Sequence, residues 1–80
     1  MQNQLLIDVR TASEFNEGHK EGAINISIED IMSGQLGQIA TLPKDSKICL
    51  YCLSGSRAGL AKIILNNNGY KNVENLGGLY

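Results

Sequence analysis

The sequence predicts a small α/β fold, a central parallel four-stranded sheet flanked by helices on both faces. Two observations carry that prediction. Short apolar runs alternate with stretches of helical spacing along the whole chain, which implies βαβ units. The runs are nearly continuous in hydrophobicity, the pattern of strands buried on both sides. Eighty residues bound the answer to one domain, 1–80, near the lower limit at which a single core holds a fold.

The elements follow in order. Gln4-Leu5-Leu6-Ile7-Asp8-Val9 is the first predicted strand. Thr11, with Glu14 three places later, has the form of a capping box, so a short helix starts there and Gly18 ends it. Ala23-Ile24-Asn25-Ile26 is a second, brief strand after Gly22. From Ser27, apolar Ile28, Ile31, Met32, Leu36 and Ile39 recur at amphipathic-helix spacing, with Ser27 as N-cap and Glu29 and Asp30 in the first turn. Gly34 and Gly37 weaken that helix. Pro43-Lys44-Asp45-Ser46 is a turn, and Ile48-Cys49-Leu50-Tyr51 is the most strand-like run. Ala58 to Asn67 is a strong helix pattern, closed by an Asn run and Gly69 as a left-handed C-cap. Asn72-Val73-Glu74-Asn75-Leu76 is the last strand and leads into Gly77-Gly78.

Composition narrows the function. Trp is absent and aromatics make up 5% of residues, so aliphatic side chains supply the core. A net charge of −1 without a basic run argues against nucleic acid and an anionic membrane surface as partners. No apolar stretch approaches the ~20 residues that span a bilayer. MQNQLLIDVR lacks a basic n-region and a cleavage pattern, so a cytoplasmic setting is expected, with a periplasmic one as the alternative had a signal peptide been removed. Two cysteines are too few for a disulfide scaffold; they suit a reducing compartment or a working thiol.

The stretch CLSGSR, Cys52 to Arg57, carries the chemistry. Open α/β sheets place their sites at the carboxyl ends of strands, and Cys52 lies at such an end with a helix following. A thiol reacts as its thiolate, which is favoured at a helix N-terminus and near a cation. Ser54, Gly55 and Ser56 let the backbone curl into a nest of inward-pointing N–H groups, and nests bind anions. Arg57 adds a planar fork suited to an oxyanion. The plainer alternative is a strand-to-helix turn with a small buried cysteine. The four residue types in this order, between strand and helix, favour the functional reading.

CLSGSR followed by a helix closely resembles the active-site loop of the rhodanese-like sulfurtransferases. Leu6-Ile7-Asp8-Val9-Arg10 resembles the family's first-strand motif, and Glu14-Phe15, Gly18-His19 and Gly22-Ala23-Ile24-Asn25-Ile26 resemble its block E-F-x-x-G-H-I-x-G-A-x-N. Gly69-Tyr70 and Leu76-Gly77-Gly78 look like the closing signature. The match runs from Leu5 to Gly78 and is similar in size to the short single-domain type.

The resemblance implies that Cys52 is the nucleophile, taking a sulfane sulfur from thiosulfate or a persulfide donor and passing it to cyanide, a small thiol or a protein thiol. It implies that backbone N–H groups of Leu53, Ser54, Gly55, Ser56, Arg57 and Ala58 hold the anionic sulfur, with Arg57 attracting the donor, and that no metal or organic cofactor is needed. Asp8, Arg10, Glu14 and His19 are expected to form a charged scaffold around the first strand and helix. Three departures stand out: Lys20 where the family commonly has Ile, no Trp after the closing glycines, and no strand and helix before the first motif.

Other readings fit less well. Cysteine-dependent phosphatases of the cell-cycle dual-specificity type share the fold but have five residues between Cys and Arg, whereas here only Leu53, Ser54, Gly55 and Ser56 intervene, a smaller ring suited to sulfur. Cys49-Leu50-Tyr51-Cys52 reads as C-x-x-C, yet residues three apart on a strand point to opposite faces, so a disulfide there needs distortion. Zinc needs about four ligands, and His19 is the only histidine. Cys49 is thus expected to be a core thiol. Ser54 and Ser56 lack a matching histidine base. A non-enzymatic binding or sulfur-relay module is the remaining alternative, weakened by the intact cysteine and loop.

Overall fold

The computed structural model describes residues 4–78. The leader reading at Met1–Asn3, and Leu79-Tyr80 in place of the absent Trp, lie outside those residues. In chain order the elements are β1 (Gln4–Asp8), α1 (Ala12–Glu17), β2 (Ile24–Asn25), α2 (Ile28–Met32), a 3-10 turn (Gly37–Thr41), β3 (Lys47–Tyr51), α3 (Ser56–Asn67) and β4 (Val73–Asn75). The strands form one parallel sheet in the order β2-β1-β3-β4. This is the predicted small α/β architecture with its four parallel strands.

The sheet order explains where a site can form. The chain steps outward from β1 to β2, crosses back to β3, then steps outward to β4. Right-handed crossovers therefore put α1 on one face of the sheet and α2 and α3 on the other. On the α2/α3 face, Ile7 opposes Leu50 in register and packs with Ile48, Ile31, Ile39, Ala61 and Leu65, all without appreciable exposure. On the α1 face, buried Asp8 opposes buried Tyr51, and the Tyr51 hydroxyl accepts the Lys20 N–H at 2.9 Å. The reversal of direction opens a crevice at the carboxyl ends of β1 and β3. Cys52 leaves the sheet there.

Local chemistry sets the helix ends. The α1 capping box forms in full, Thr11 and Glu14 each satisfying the other's end. Ser27 Oγ accepts the Asp30 N–H at 3.2 Å and starts α2. The single helix expected from Ser27 onward is instead two pieces. Gly34 at φ 86° and Gly37 at φ 57° leave the right-handed helical region, so α2 stops at Met32 and only a 3-10 turn follows. α3 begins at Ser56, two residues before the expected Ala58. Its end is a Schellman motif, with Tyr70 N–H on Leu65 O at 3.1 Å and Gly69 N–H on Asn66 O at 3.1 Å. Among the described residues no helix is long and apolar enough to cross a membrane.

Candidate active site

Cys52 follows β3 directly, and its neighbours are fixed by continued pairing with the chain after β4. Leu76 N–H donates to Leu50 O at 2.8 Å, and Cys52 N–H donates to Gly77 O at 3.1 Å. Ser54 then bridges antiparallel to Gly78. A side chain at Gly78 would run into the Leu53 carbonyl, so the closing glycine is required by contact with the loop. The loop turns at Gly55, whose φ of 96° is a left-handed value that favours glycine. That turn reverses the backbone so that its N–H groups face the sulfur.

Two of those amides reach Cys52 Sγ, Gly55 N–H at 2.9 Å and Ala58 N–H at 3.4 Å. Cys52 has no solvent-exposed surface. Burial pushes its thiol up, but the amides of Ala58, Ser54, Gly55 and Arg57 outweigh that and hold it below the ordinary thiol range. The N-terminal end of the twelve-residue α3 adds its dipole in the same sense. Among the hydrogen bonds of the described residues, neither Leu53 nor Ser56 donates to Sγ, although both were expected in the ring. The chain at Leu53 still runs as an extension of the sheet toward the Ser54–Gly78 bridge, and the curl begins only after it. Cys49 contrasts with Cys52. It is buried on the α1 face, its thiol is pushed up by burial, and both cysteines are free.

The charged residues divide into three groups instead of one cluster. Arg10 donates from Nε and Nη2 to both Asp8 oxygens at 2.7–3.0 Å and from Nη2 to Gly18 O at 2.6 Å, pinning the chain after α1 to β1. Glu14 instead takes the fork of Arg57, with Nη1 to Oε1 at 2.8 Å and Nη2 to Oε2 at 3.1 Å. The arginine expected to face the donor is thus bonded to α1. The Arg57 guanidinium, with help from Thr11, holds the Glu14 carboxyl down to about 2. His19 is exposed, stacked on the Phe15 ring at 3.6 Å, with Nδ1 2.8 Å from Phe15 O. Its ring contacts Phe15, in keeping with the scaffold role expected of it.

Asn75 is a site residue that sequence reasoning passed over. Its Nδ2 donates to Gly55 O at 3.1 Å, and its Oδ1 accepts the Gly77 N–H at 2.8 Å. One side chain therefore joins the thiolate loop to the closing glycines. The signal available was an Asn at the end of a strand, two residues before Gly-Gly, where Asx turns are common. Among the described residues, no group of three His, Cys, Asp or Glu side chains could hold a metal ion.

A buried cysteine, its sulfur ringed by loop amides at the switch point of a small parallel α/β sheet, defines a class of protein. The family model described as Rhodanese-like domain matches residues 1–80, and the chain belongs to that family. Thiosulfate sulfurtransferase PspE of Escherichia coli K12 is 40% identical over 75 residues, spanning 91% of this chain and 68% of that protein. A tRNA uridine(34) hydroxylase of Photorhabdus laumondii is 35% identical over 92% of this chain, which spans 22% of that much longer protein. Among solved structures, a rhodanese with anions from E. coli superposes with a TM-score of 0.82 at 38% identity, over 95% of this chain and 87% of its own.

Proposed function

We propose that this domain is a sulfurtransferase that moves a sulfane sulfur from thiosulfate or a persulfide donor, through a persulfide on Cys52, to cyanide or a thiol acceptor, small or on a protein. The observation that carries the reading is the Cys52 sulfur bonded by the Gly55 and Ala58 amides at the mouth of the β1/β3 crevice, an arrangement that favours its thiolate. The similarity to a thiosulfate sulfurtransferase supports it.

The thiolate attacks the outer sulfur of thiosulfate. The donor's S–S bond breaks, sulfite leaves with the bonding pair, and a Cys52 Sγ–S bond forms. Three negative charges stand on each side of that step. The persulfide's terminal sulfur then carries the charge, and the amides of the curled loop, Gly55 and Ala58 among them, are the donors that stabilise it. An acceptor thiolate or cyanide attacks that sulfur and restores the Cys52 thiolate, giving ping-pong turnover. Cys52 has no exposed surface at rest, so a donor reaches its sulfur only as the groups around it move. The chemistry suits a reducing compartment such as the cytoplasm, with a periplasmic setting as the alternative.

Intact mass and peptide mapping after exposure to thiosulfate test the reading. One added sulfur on the Cys52 peptide, lost on addition of cyanide with formation of thiocyanate, is the expected result. No adduct from thiosulfate or from any persulfide donor would remove the enzyme and leave a binding module.

A further inference from the structure

Arg57 is the one cation of the Cys52 loop, and its fork is already taken. Both terminal nitrogens bond Glu14, so the positive charge facing the site is matched by a carboxylate on α1. That carboxylate is itself held from behind. Glu14 Oε1 accepts the Thr11 N–H and hydroxyl, each at 3.1 Å, as part of the helix cap. A bidentate pair whose carboxylate is held by two further bonds from the helix cap does not swing aside freely. What remains to attract an anion is the ring of amide dipoles, which is sized for one sulfur. A second feature points the same way. Leu53, in the loop itself, is 51% exposed, and Leu76, where the chain after β4 meets the loop, is 43% exposed. Apolar side chains flanking the site suit an organic group more than an inorganic dianion.

Resting on the sulfur-transfer reading above, we infer that Glu14 is the specificity-determining residue of this site, neutralising Arg57 so that singly charged organic donors, persulfides and thiosulfonates, are favoured over doubly charged thiosulfate. Each donor delivers its outer sulfur in the same way. The donor's sulfur–sulfur bond breaks, the Cys52 Sγ–S bond forms, and the thiolate, sulfinate or sulfite leaves with the electron pair. Only the donor's charge and its organic group differ.

Glu14→Gln is the informative variant. Glutamine keeps the capping box and one bond to Arg57, and it deletes the charge. The readout is the second-order rate constant for Cys52 persulfide formation, by rapid quench and intact mass, with thiosulfate and with benzenethiosulfonate. A unit charge at a partly exposed mouth changes donor attraction on the order of threefold per unit of donor charge. Glu14→Gln is therefore expected to raise the thiosulfate constant about ninefold and the thiosulfonate constant about threefold. The ratio of the two cancels any change in the thiolate fraction. Arg57→Gln, which leaves Glu14 unmatched, moves the ratio the other way, and the double variant returns it to near the wild-type value. A ratio unmoved in both single variants, with their folds verified by circular dichroism, overturns the inference while leaving sulfur transfer intact. Absence of any Cys52 adduct in the wild type fails the sulfur-transfer reading itself, and this inference with it.

Discussion

The side chain of Asn75 donates to the carbonyl of Gly55 at 3.1 Å while accepting the Gly77 amide at 2.8 Å. Gly55 is also the residue whose own amide lies 2.9 Å from Cys52 Sγ. A residue on the edge strand thus holds the carbonyl of the residue whose amide stabilises the thiolate, and so fixes the turn at Gly55 without itself bonding the sulfur. Asn75→Ala removes both bonds. Because the side chain is exposed, the loss in stability is modest, about 1 kcal/mol, which lowers Tm by roughly 4–8 °C in a domain of this size. The larger effect falls on the site. The Cys52 thiol moves up as its loop loosens, and persulfide formation slows at neutral pH. Differential scanning calorimetry paired with a pH–rate profile checks both; a Tm shift without a shift of the profile would reduce Asn75 to scaffold.

Two glycines one turn apart respond in opposite directions to a methyl group. At Gly55 the φ of 96° strains any L side chain, and a Cβ would stand 3.3 Å from Gly77 Cα. Gly55→Ala costs about 1–3 kcal/mol and displaces the amide from the sulfur. Gly59 lies inside α3 with ordinary helical backbone, and its Cβ would meet only Asn75 Nδ2 at 3.5 Å. Gly59→Ala gains about 0.5–1 kcal/mol through helix propensity. Urea midpoints for the two variants should fall on either side of the wild type.

Much of this was legible in the sequence because the governing interactions are local. Alternating apolar runs, the Thr11–Glu14 cap, the Ser27 cap and the Gly69 helix stop each depend on residues within a few places of one another, and each appears where the pattern puts it. The position of Cys52 at a strand end was legible for the same reason. The Arg57–Glu14 pairing spans 43 residues and joins two helices, so nothing near either residue announces it. Charge complementarity allowed Glu14 to join Asp8 and Arg10 equally well; the fold decided otherwise by bringing the Glu14 side chain of α1 to Arg57 in the first turn of α3. Asn75 was hidden likewise, its partner lying 20 residues away. The break after Met32 was half legible, since glycines at 34 and 37 permitted it and only packing required it.

The thiolate itself predicts a pH dependence. Loop amides hold the folded Cys52 thiol below its ordinary value of 9.0, while in the unfolded chain the thiol returns to that value. An acid with a depressed folded pKa adds stability that is fully present above the unfolded value and fades as pH falls through the folded one. The stability of the wild type relative to Cys52→Ser should therefore rise with pH toward 9.0 and level off beyond it. Thiolate ultraviolet absorbance, taken as wild type minus Cys52→Ser, gives the folded titration directly. Cys49, pushed up by burial, contributes to neither curve below that range. A titration of Cys52 at or above the free-thiol value would contradict the amide ring as the source of reactivity.

Asp8 and Arg10 supply the sharpest test of what is scaffold and what is chemistry. Both are buried, and their bidentate bonds leave few polar atoms unmatched. Burial raises the Asp8 carboxyl, but its bonds from Arg10 outweigh that and the net position is below the ordinary 3.8. The stabilisation is therefore full above about 3.8 and is lost as pH falls through the lower folded value, the acid limb of unfolding. Asp8→Asn leaves the guanidinium buried against a neutral amide, at a cost of about 3–5 kcal/mol, a large share of the stability of so small a domain. The variant should also show a flatter acid limb than the wild type. Arg10 fixes Gly18, the end of α1, and α1 presents Glu14 to Arg57, so the whole Glu14 side of the mouth hangs on this pair. At low temperature, where Asp8→Asn is still folded, Cys52 should continue to take up sulfur, because no atom of the pair touches it. An acid limb as steep as the wild type's would show that Asp8 is not the group whose protonation starts the unfolding.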